Sequence, residues 1–150
     1  MVRAIMHGCN GHMGQVITGL IKEDADIEIV AGIDLADCRD NGYPVYTNIE
    51  DCDVKADVII DFASAKATDA LLAYGKKRGI PMVLCTTGLT DAQLAAVEEA
   101  SREVAVLKSA NMSLGVNMLL KLLKEAANIL APAGFDIEIV EKHHNRKVDA

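Results

Sequence analysis

Three glycines, Gly8, Gly11 and Gly14, follow a short apolar run and open an amphipathic stretch, with the spacing GxxGxxG. A strand-to-helix turn of this kind needs one glycine where a Cβ would block the turn. It needs a second where a diphosphate must approach the backbone, and a third where helix and strand pack closely. The amides at the helix start then face the phosphates. Asp34 closes the next β-branched run, near the offset of roughly 20 residues at which a carboxylate accepts the hydroxyls of an adenosine ribose and repels a 2′-phosphate. Leu35 and Ala36 bring no positive charge beside it, and Arg39 is the nearest arginine. The pattern points to a nicotinamide dinucleotide, NADH or NADPH, with Asp34 favouring NADH. Three glycines in a turn can also be purely steric and Asp34 purely solvated, and a methyltransferase shares both features. Spacing alone leaves these readings open.

A second cluster lies at Lys142, His143, His144, Asn145, Arg146 and Lys147. In an acidic chain it suits an anionic substrate: imidazole gives or takes a proton near neutral pH, and lysine holds a carboxylate or protonates a nitrogen. A solvated polar segment fits the same spacing. The third reading, a methyltransferase, leaves these histidines unexplained.

The elements that must carry these residues alternate along the chain. Residues 2–6 read as a strand, and Val16, Ile17, Leu20 and Ile21 then recur at helical spacing. Residues 27–33 and 57–62 read as strands covered on two faces, 65–77 as a helix, 81–85 as a strand and 104–107 as another. Thr90 is placed to cap the helix that follows it, with Gln93 three residues on in a capping box. Such alternation predicts an α/β fold: a Rossmann-like, mostly parallel sheet with helices on both faces. After Ser109 the pattern changes. Val116, Leu119, Leu120, Leu123, Ala127 and Leu130 form a long helical stripe, and residues 135–142 alternate as a strand with one wet face. A domain boundary near residues 111–115 divides a dinucleotide-binding domain, 1–112, from 113–150, the start of an α+β substrate and oligomerisation domain.

Composition excludes other classes. The 150 residues hold 15 Lys and Arg against 22 Asp and Glu, a net charge of −7, with 51% hydrophobic residues. A chain of this size buries roughly 70% of its unfolded surface, so global disorder is excluded. An acidic chain with 3% aromatic residues lacks the basic footprint and stacking platforms of a nucleic-acid binder. No run approaches the roughly 18 apolar residues of a membrane span, and Cys9, Cys38, Cys52 and Cys85 form no CxxC pair. No metal site, no membrane and a reducing cytoplasm are expected. Met6, Met13, Met82 and Met118 read as core filler, and His7 as a packed, hydrogen-bonded residue. Cys9 has no base partner in the sequence to make it a nucleophile. Asp61 and Phe62 lie at the carboxyl end of a strand, where ligands bind in open α/β sheets.

Four ordered blocks, GCNGHMG at 8–14, CTTG at 85–88, SANMSLGVN at 109–117 and EKHHNRKVDA at 141–150, resemble the dihydrodipicolinate reductase family along the whole chain. The HHxxKxDA block is the specific element, whereas the glycine turn is generic. The resemblance implies reduction of 4-hydroxy-tetrahydrodipicolinate, a cyclic unsaturated dicarboxylate on the way to diaminopimelate and lysine, by NADH or NADPH. It implies cofactor contacts from Gly8, Cys9, Asn10, Gly11, His12, Met13, Asp34, Cys85, Thr86, Thr87, Ser109, Ala110, Asn111 and Met112. It makes His143 the proton donor, Lys147 the second catalytic residue and His144 a substrate ligand, in a homotetramer built through the second domain. Cys85 stands where the family usually has Gly, and His12 where it often has Arg, which weakens a phosphate clamp and again favours NADH. The family continues past the position of Ala150 with a Pro-Ser-Gly-Thr segment. The alternative expectation is therefore a dinucleotide-binding module with incomplete catalytic machinery.

Overall fold

Short β-branched and aliphatic runs form one parallel sheet in the computed structural model, which describes residues 1–140 and 142. The chain divides into two units, Met1–Ala110 and Asn111–Ala150. In the first, strands β1 (Val2–His7), β2 (Ile27–Ile33), β3 (Val45–Tyr46), β4 (Val58–Asp61), β5 (Met82–Leu84) and β6 (Val106–Lys108) lie in the order β3-β2-β1-β4-β5-β6. Every neighbouring pair is parallel. Parallel neighbours need crossovers, and helices α1 (His12–Ile21), α2 (Thr68–Arg78) and α3 (Asp91–Ala100) supply three of them. Right-handed crossovers in this order put α1 on one face and α2 and α3, which touch each other, on the opposite face.

The core explains why these short strands hold. Ile5, Ile59, Leu71, Met82 and Leu84 are fully or almost fully enclosed, with Leu72, Val97 and Ala100 from α2 and α3 packed over them. Tyr74 is enclosed too, and its hydroxyl donates to the Cys52 carbonyl at 2.7 Å. Burial pushes the Tyr74 phenol up to about 12. Arg78, on the last turn of the same helix, donates to the carbonyls of Cys52, Asp53 and Val54, so the loop before β4 is tied to α2. At the amino ends of β1 and β4, Arg3 donates to Asp57 at 2.9 and 3.2 Å, and these bonds hold the Asp57 carboxyl down at about 2.

Most boundaries agree with the pattern in the sequence, and the departures have local causes. The helix expected over 65–77 begins as a 3₁₀ turn, Ala65–Ala67, and becomes α-helical at Thr68. Strand β2 is half-open over its first residues instead of covered on both faces, because it pairs with β3 only at Gly32 and Ile33. Strand β3 has two residues, too few to show a period. Met6 and Met82 are core residues, but Met13 and Met118 are exposed. Met13 precedes Gly14, the packed position of the first turn of α1, so helical geometry turns its side chain outward.

The second unit holds α4 (Leu114–Leu130), capped by Ser113 and ended in a turn where Gly134 has φ +85°. Its stripe residues Leu119, Leu120 and Leu123 are exposed. The strand expected over 135–142 is not formed at the described positions. An isolated strand has no ladder partner to accept its amides, and no second strand of this unit lies among the described residues.

Candidate functional site

The order of the strands creates the site. The chain runs outward from β1 to β2 and β3, then returns to place β4 on the other side of β1. Ligands of open α/β sheets bind at the carboxyl ends of the strands at such a reversal. Here those ends are His7 and Asp61, partners in the register of β1 and β4. Above them lies a cavity of about 250 Å³, lined by Gly8, Gly11, Ile33, Asp34, Phe62 and Ser64 among others.

The glycines shape its floor. Gly8 has φ +81°, and a Cβ there would stand 2.8 Å from the Phe62 carbonyl oxygen. Gly14 is closer still, since a Cβ would meet the Gly8 carbonyl oxygen at 2.2 Å. These two positions are steric. Gly11 differs: it is the N-cap of α1 with φ −68° and ψ 168°, an ordinary extended conformation, and no side chain caps the helix. Thr90 caps α3 from almost the same conformation, φ −70° and ψ 162°, and closes a capping box with Gln93. Backbone geometry at Gly11 therefore does not demand glycine. The amides of the first turn of α1 have no acceptor within the helix and face an open position where a side chain would otherwise stand.

Asp34 is held at the rim. Its Oδ2 accepts from the Asn10 amide at 2.7 Å and its Oδ1 from the Leu35 amide at 2.8 Å, leaving further lone pairs on both oxygens. Asn10 donates from Nδ2 to the Ala36 carbonyl at 2.6 Å. Beneath the floor, His7 Nδ1 lies 2.7 Å from Asp61 Oδ1, and Thr86 Oγ1 donates to Asp61 Oδ2 at 2.5 Å. All three side chains are buried. The cluster ties the carboxyl ends of β1, β4 and the β5 loop together, as expected for His7 as a packed residue.

The structure gathers Gly8, Asn10, Gly11 and Asp34 around one rim, with Phe62 on its wall. His12 and Met13 are exposed on the first turn of α1, and Thr87 is exposed on the loop after β5. The Cys9 side chain faces away, enclosed against Gly32. Burial, aided by Asp34, pushes its thiol up to about 11, the reverse of an activated nucleophile. Cys85 is buried too, with its thiol raised by burial and by Asp61. Thr86 turns its hydroxyl inward to Asp61 and the Ala63 carbonyl. Ser109 donates its amide to the Leu84 carbonyl, and Ala110 follows it. In the second unit Asn111 accepts from the Ser113 amide, beside an exposed Met112. His143, His144 and Lys147 lie outside the described residues.

Sequence reasoning missed Asn41, Gln15 and the inward role of Asp61. An aspartate ending a buried strand was visible, but its partners come from positions far apart in the chain.

A glycine turn at the strand-order reversal, an uncapped helix start and a carboxylate ending β2 define a Rossmann-like dinucleotide-binding fold. Residues 2–112 match the model of the N-terminus of dihydrodipicolinate reductase and residues 115–150 that of its C-terminus. The chain belongs to the dihydrodipicolinate reductase family. It is 51% identical, over its full length, to a 4-hydroxy-tetrahydrodipicolinate reductase of Caldanaerobacter subterraneus subsp. tengcongensis, of which it spans 59%. It is 45% identical to one of Clostridium tetani, of which it spans 58%. Among solved structures, the dipicolinate-bound dihydrodipicolinate reductase from Paenisporosarcina sp. TG-14 superposes with a TM-score of 0.75 at 24% identity, covering 86% of this chain and 54% of that one. A probable dehydrogenase from Thermotoga maritima gives 0.66 at 18% identity, covering 85% and 42%.

Proposed function

We propose that residues 1–112 hold a reduced nicotinamide dinucleotide and that residues 113–150 begin the substrate domain of a 4-hydroxy-tetrahydrodipicolinate reductase. The observation that carries this reading is Gly11. A helix start that could be capped, and is not, sits in a cradle between Gly8, Gly14 and Asp34. The first-turn amides would take the diphosphate, and the remaining lone pairs of Asp34 would take the ribose hydroxyls. A carboxylate there opposes a 2′-phosphate, so NADH is used at least as well as NADPH. Bound, the reduced nicotinamide supplies a hydride to a conjugated ring.

The other roles follow from family membership, residue by residue. Cys85, Thr86, Thr87, Ser109, Ala110, Asn111 and Met112 complete the coenzyme site. His143 donates the proton that quenches charge on the reduced ring, Lys147 assists it, and His144 binds the dicarboxylate. Four unpaired cysteines suit a reducing cytoplasm, no helix of the described residues is long and apolar enough to cross a membrane, and the family's homotetramer is the expected assembly.

Two measurements test this function. Nicotinamide fluorescence should show saturable NADH binding to the chain; a folded chain that binds neither NADH nor NADPH contradicts it. In a version extended to the length of the curated relatives and turning over the dicarboxylate, His143→Ala should lower kcat by roughly 10²- to 10⁴-fold, the usual worth of a general acid, with NADH affinity nearly intact. Unchanged turnover removes the acid role.

A further inference from the structure

Asn41, almost wholly buried in the loop between β2 and β3, follows Asp34 in the same connection but is distant in sequence from the glycine turn. It bonds Asn10 of that turn directly and, through Gln15, reaches the Cys9 carbonyl. Its Nδ2 donates to Asn10 Oδ1 at 2.9 Å, and its Oδ1 accepts from Gln15 Nε2 at 2.7 Å. Gln15 Nε2 also donates to the Cys9 carbonyl at 2.8 Å, while Asn10 Nδ2 donates to the Ala36 carbonyl at 2.6 Å. Backbone carbonyls thus anchor both ends of the chain of amides. A carbonyl can only accept, so Asn10 must present its oxygen to Asn41 and Gln15 must present its nitrogen. Asn41 has one orientation that satisfies both.

The direction of this relay has a consequence at the rim. It holds Asn10 where its own amide meets Asp34 Oδ2, and it pins the backbone at Ala36 to the glycine turn. Tyr43 and Thr18, whose hydroxyls lie 2.9 Å apart, add a second tie between the same loop and α1. Residues 35–40, including the exposed Arg39, are therefore held between fixed ends. This segment directly follows Asp34, so its placement bears on what a ribose held by that carboxylate can carry at its 2′ position.

We propose that Asn41 is a positioning residue for coenzyme selection: through Asn10 it fixes the Asp34 carboxylate and the following loop in the arrangement that favours a free ribose 2′-hydroxyl over a 2′-phosphate. This rests on the reading of Asp34 as the ribose ligand. Asn41→Leu keeps much of the shape and removes both hydrogen bonds without adding charge. Asp34 loses its fixed orientation, and Arg39 gains freedom to approach a phosphate.

The test is a double-mutant cycle on the ratio of NADH to NADPH dissociation constants, read by nicotinamide fluorescence on the full chain. Asn41→Leu should shift the ratio toward NADPH by about tenfold, the scale of one buried hydrogen bond. In an Asp34→Ala background the same substitution should shift it by less than about twofold, because the carboxylate through which Asn41 acts is gone. Equal weakening of both coenzymes, or the same shift in both backgrounds, overturns the proposal and leaves Asn41 a packing residue. If Asn41→Leu does not unfold cooperatively on heating, Gln15→Met breaks the relay one link earlier, and an unaltered ratio there is equally fatal. A parent chain that binds neither coenzyme overturns the dinucleotide reading, and this proposal with it. A parent that binds both while Asn41→Leu leaves their ratio unmoved overturns this proposal alone.

Discussion

Helices α1 and α3 both start after a parallel strand, and their N-caps share one backbone conformation, yet they end their amides differently. At α3 the Thr90 hydroxyl accepts from the Gln93 amide at 3.2 Å, and the Gln93 side chain accepts from the Thr90 amide at 3.1 Å. At α1 the equivalent position is Gly11, without a side-chain cap. One helix satisfies its own start, whereas the other leaves donors for something outside the chain. Stability argues for the first arrangement and ligand binding for the second, so the contrast separates the two demands within one sheet. Charge follows the same division: Asp91 stands in the first turn of α3, but no acidic residue stands in the first turn of α1. A carboxylate there would compete with an anionic ligand for the positive end of the helix.

The largest expected effect comes from Gly14→Ala. A methyl group would sit 2.2 Å from the Gly8 carbonyl oxygen and 2.7 Å from that of Cys9. Both contacts are backbone, so no rotamer relieves them. The gain of helix propensity over glycine, about 1 kcal/mol, is smaller than the overpacking. A net loss of about 3 kcal/mol is expected in urea unfolding, together with loss of NADH binding. Unaltered stability would show that the turn and α1 can separate freely, and the steric role of the third glycine would be wrong.

Gly11→Ser then divides stability from binding. It converts the start of α1 into the chemistry of Thr90. Its Cβ would meet only the Gly8 carbonyl oxygen, at 3.2 Å, which must give by a few tenths of an ångström. Serine and glycine differ by only a few tenths of a kcal/mol as N-caps, so unfolding free energy should change by less than about 1 kcal/mol, well short of the Gly14→Ala loss. NADH affinity should fall at least about tenfold, because the new hydroxyl occupies the approach to the amides. Full affinity in the serine variant would place the diphosphate elsewhere.

How much of this was legible in the sequence depends on how local each feature is. The strand-glycine-helix start, the capping box at Thr90 and the carboxylate closing β2 are each written within a few neighbouring residues, and each was readable. Strand β3 was not, since Val45 and Tyr46 carry no periodicity and owe their extended form to pairing with Gly32 and Ile33. The relay from Gln15 through Asn41 to Asn10 was equally hidden. Polar residues at such distances look like solvated loop until the fold brings them together. The alternating run at 135–142 failed in the opposite way: its pattern is that of a strand, but extended pairing requires a partner that local sequence does not provide. His7 was legible as a buried polar residue, while its partner Asp61 was read only by its place at a strand end. Asp61 turns inward because His7 and Thr86 offer it two hydrogen bonds beneath the cavity floor.

Thr90→Ala completes the contrast with the smallest effect. It removes the hydroxyl that accepts from the Gln93 amide, so a buried strand-to-helix frame remains and one amide of α3 turns to water. The cost of such a cap is about 1 kcal/mol, measurable as a lower urea midpoint at unchanged slope. Gln93 still donates to the Ala65 carbonyl, a bond of 2.7 Å that ties α3 to the start of the neighbouring crossover, so the helix keeps its seat. NADH affinity should not move, since α3 meets its own amides and α1 offers its amides outward. A fall in affinity alongside the fall in stability would mean that the two helix starts are coupled through the loop after β5, and the division between a self-capped helix and a ligand-capped one would no longer hold.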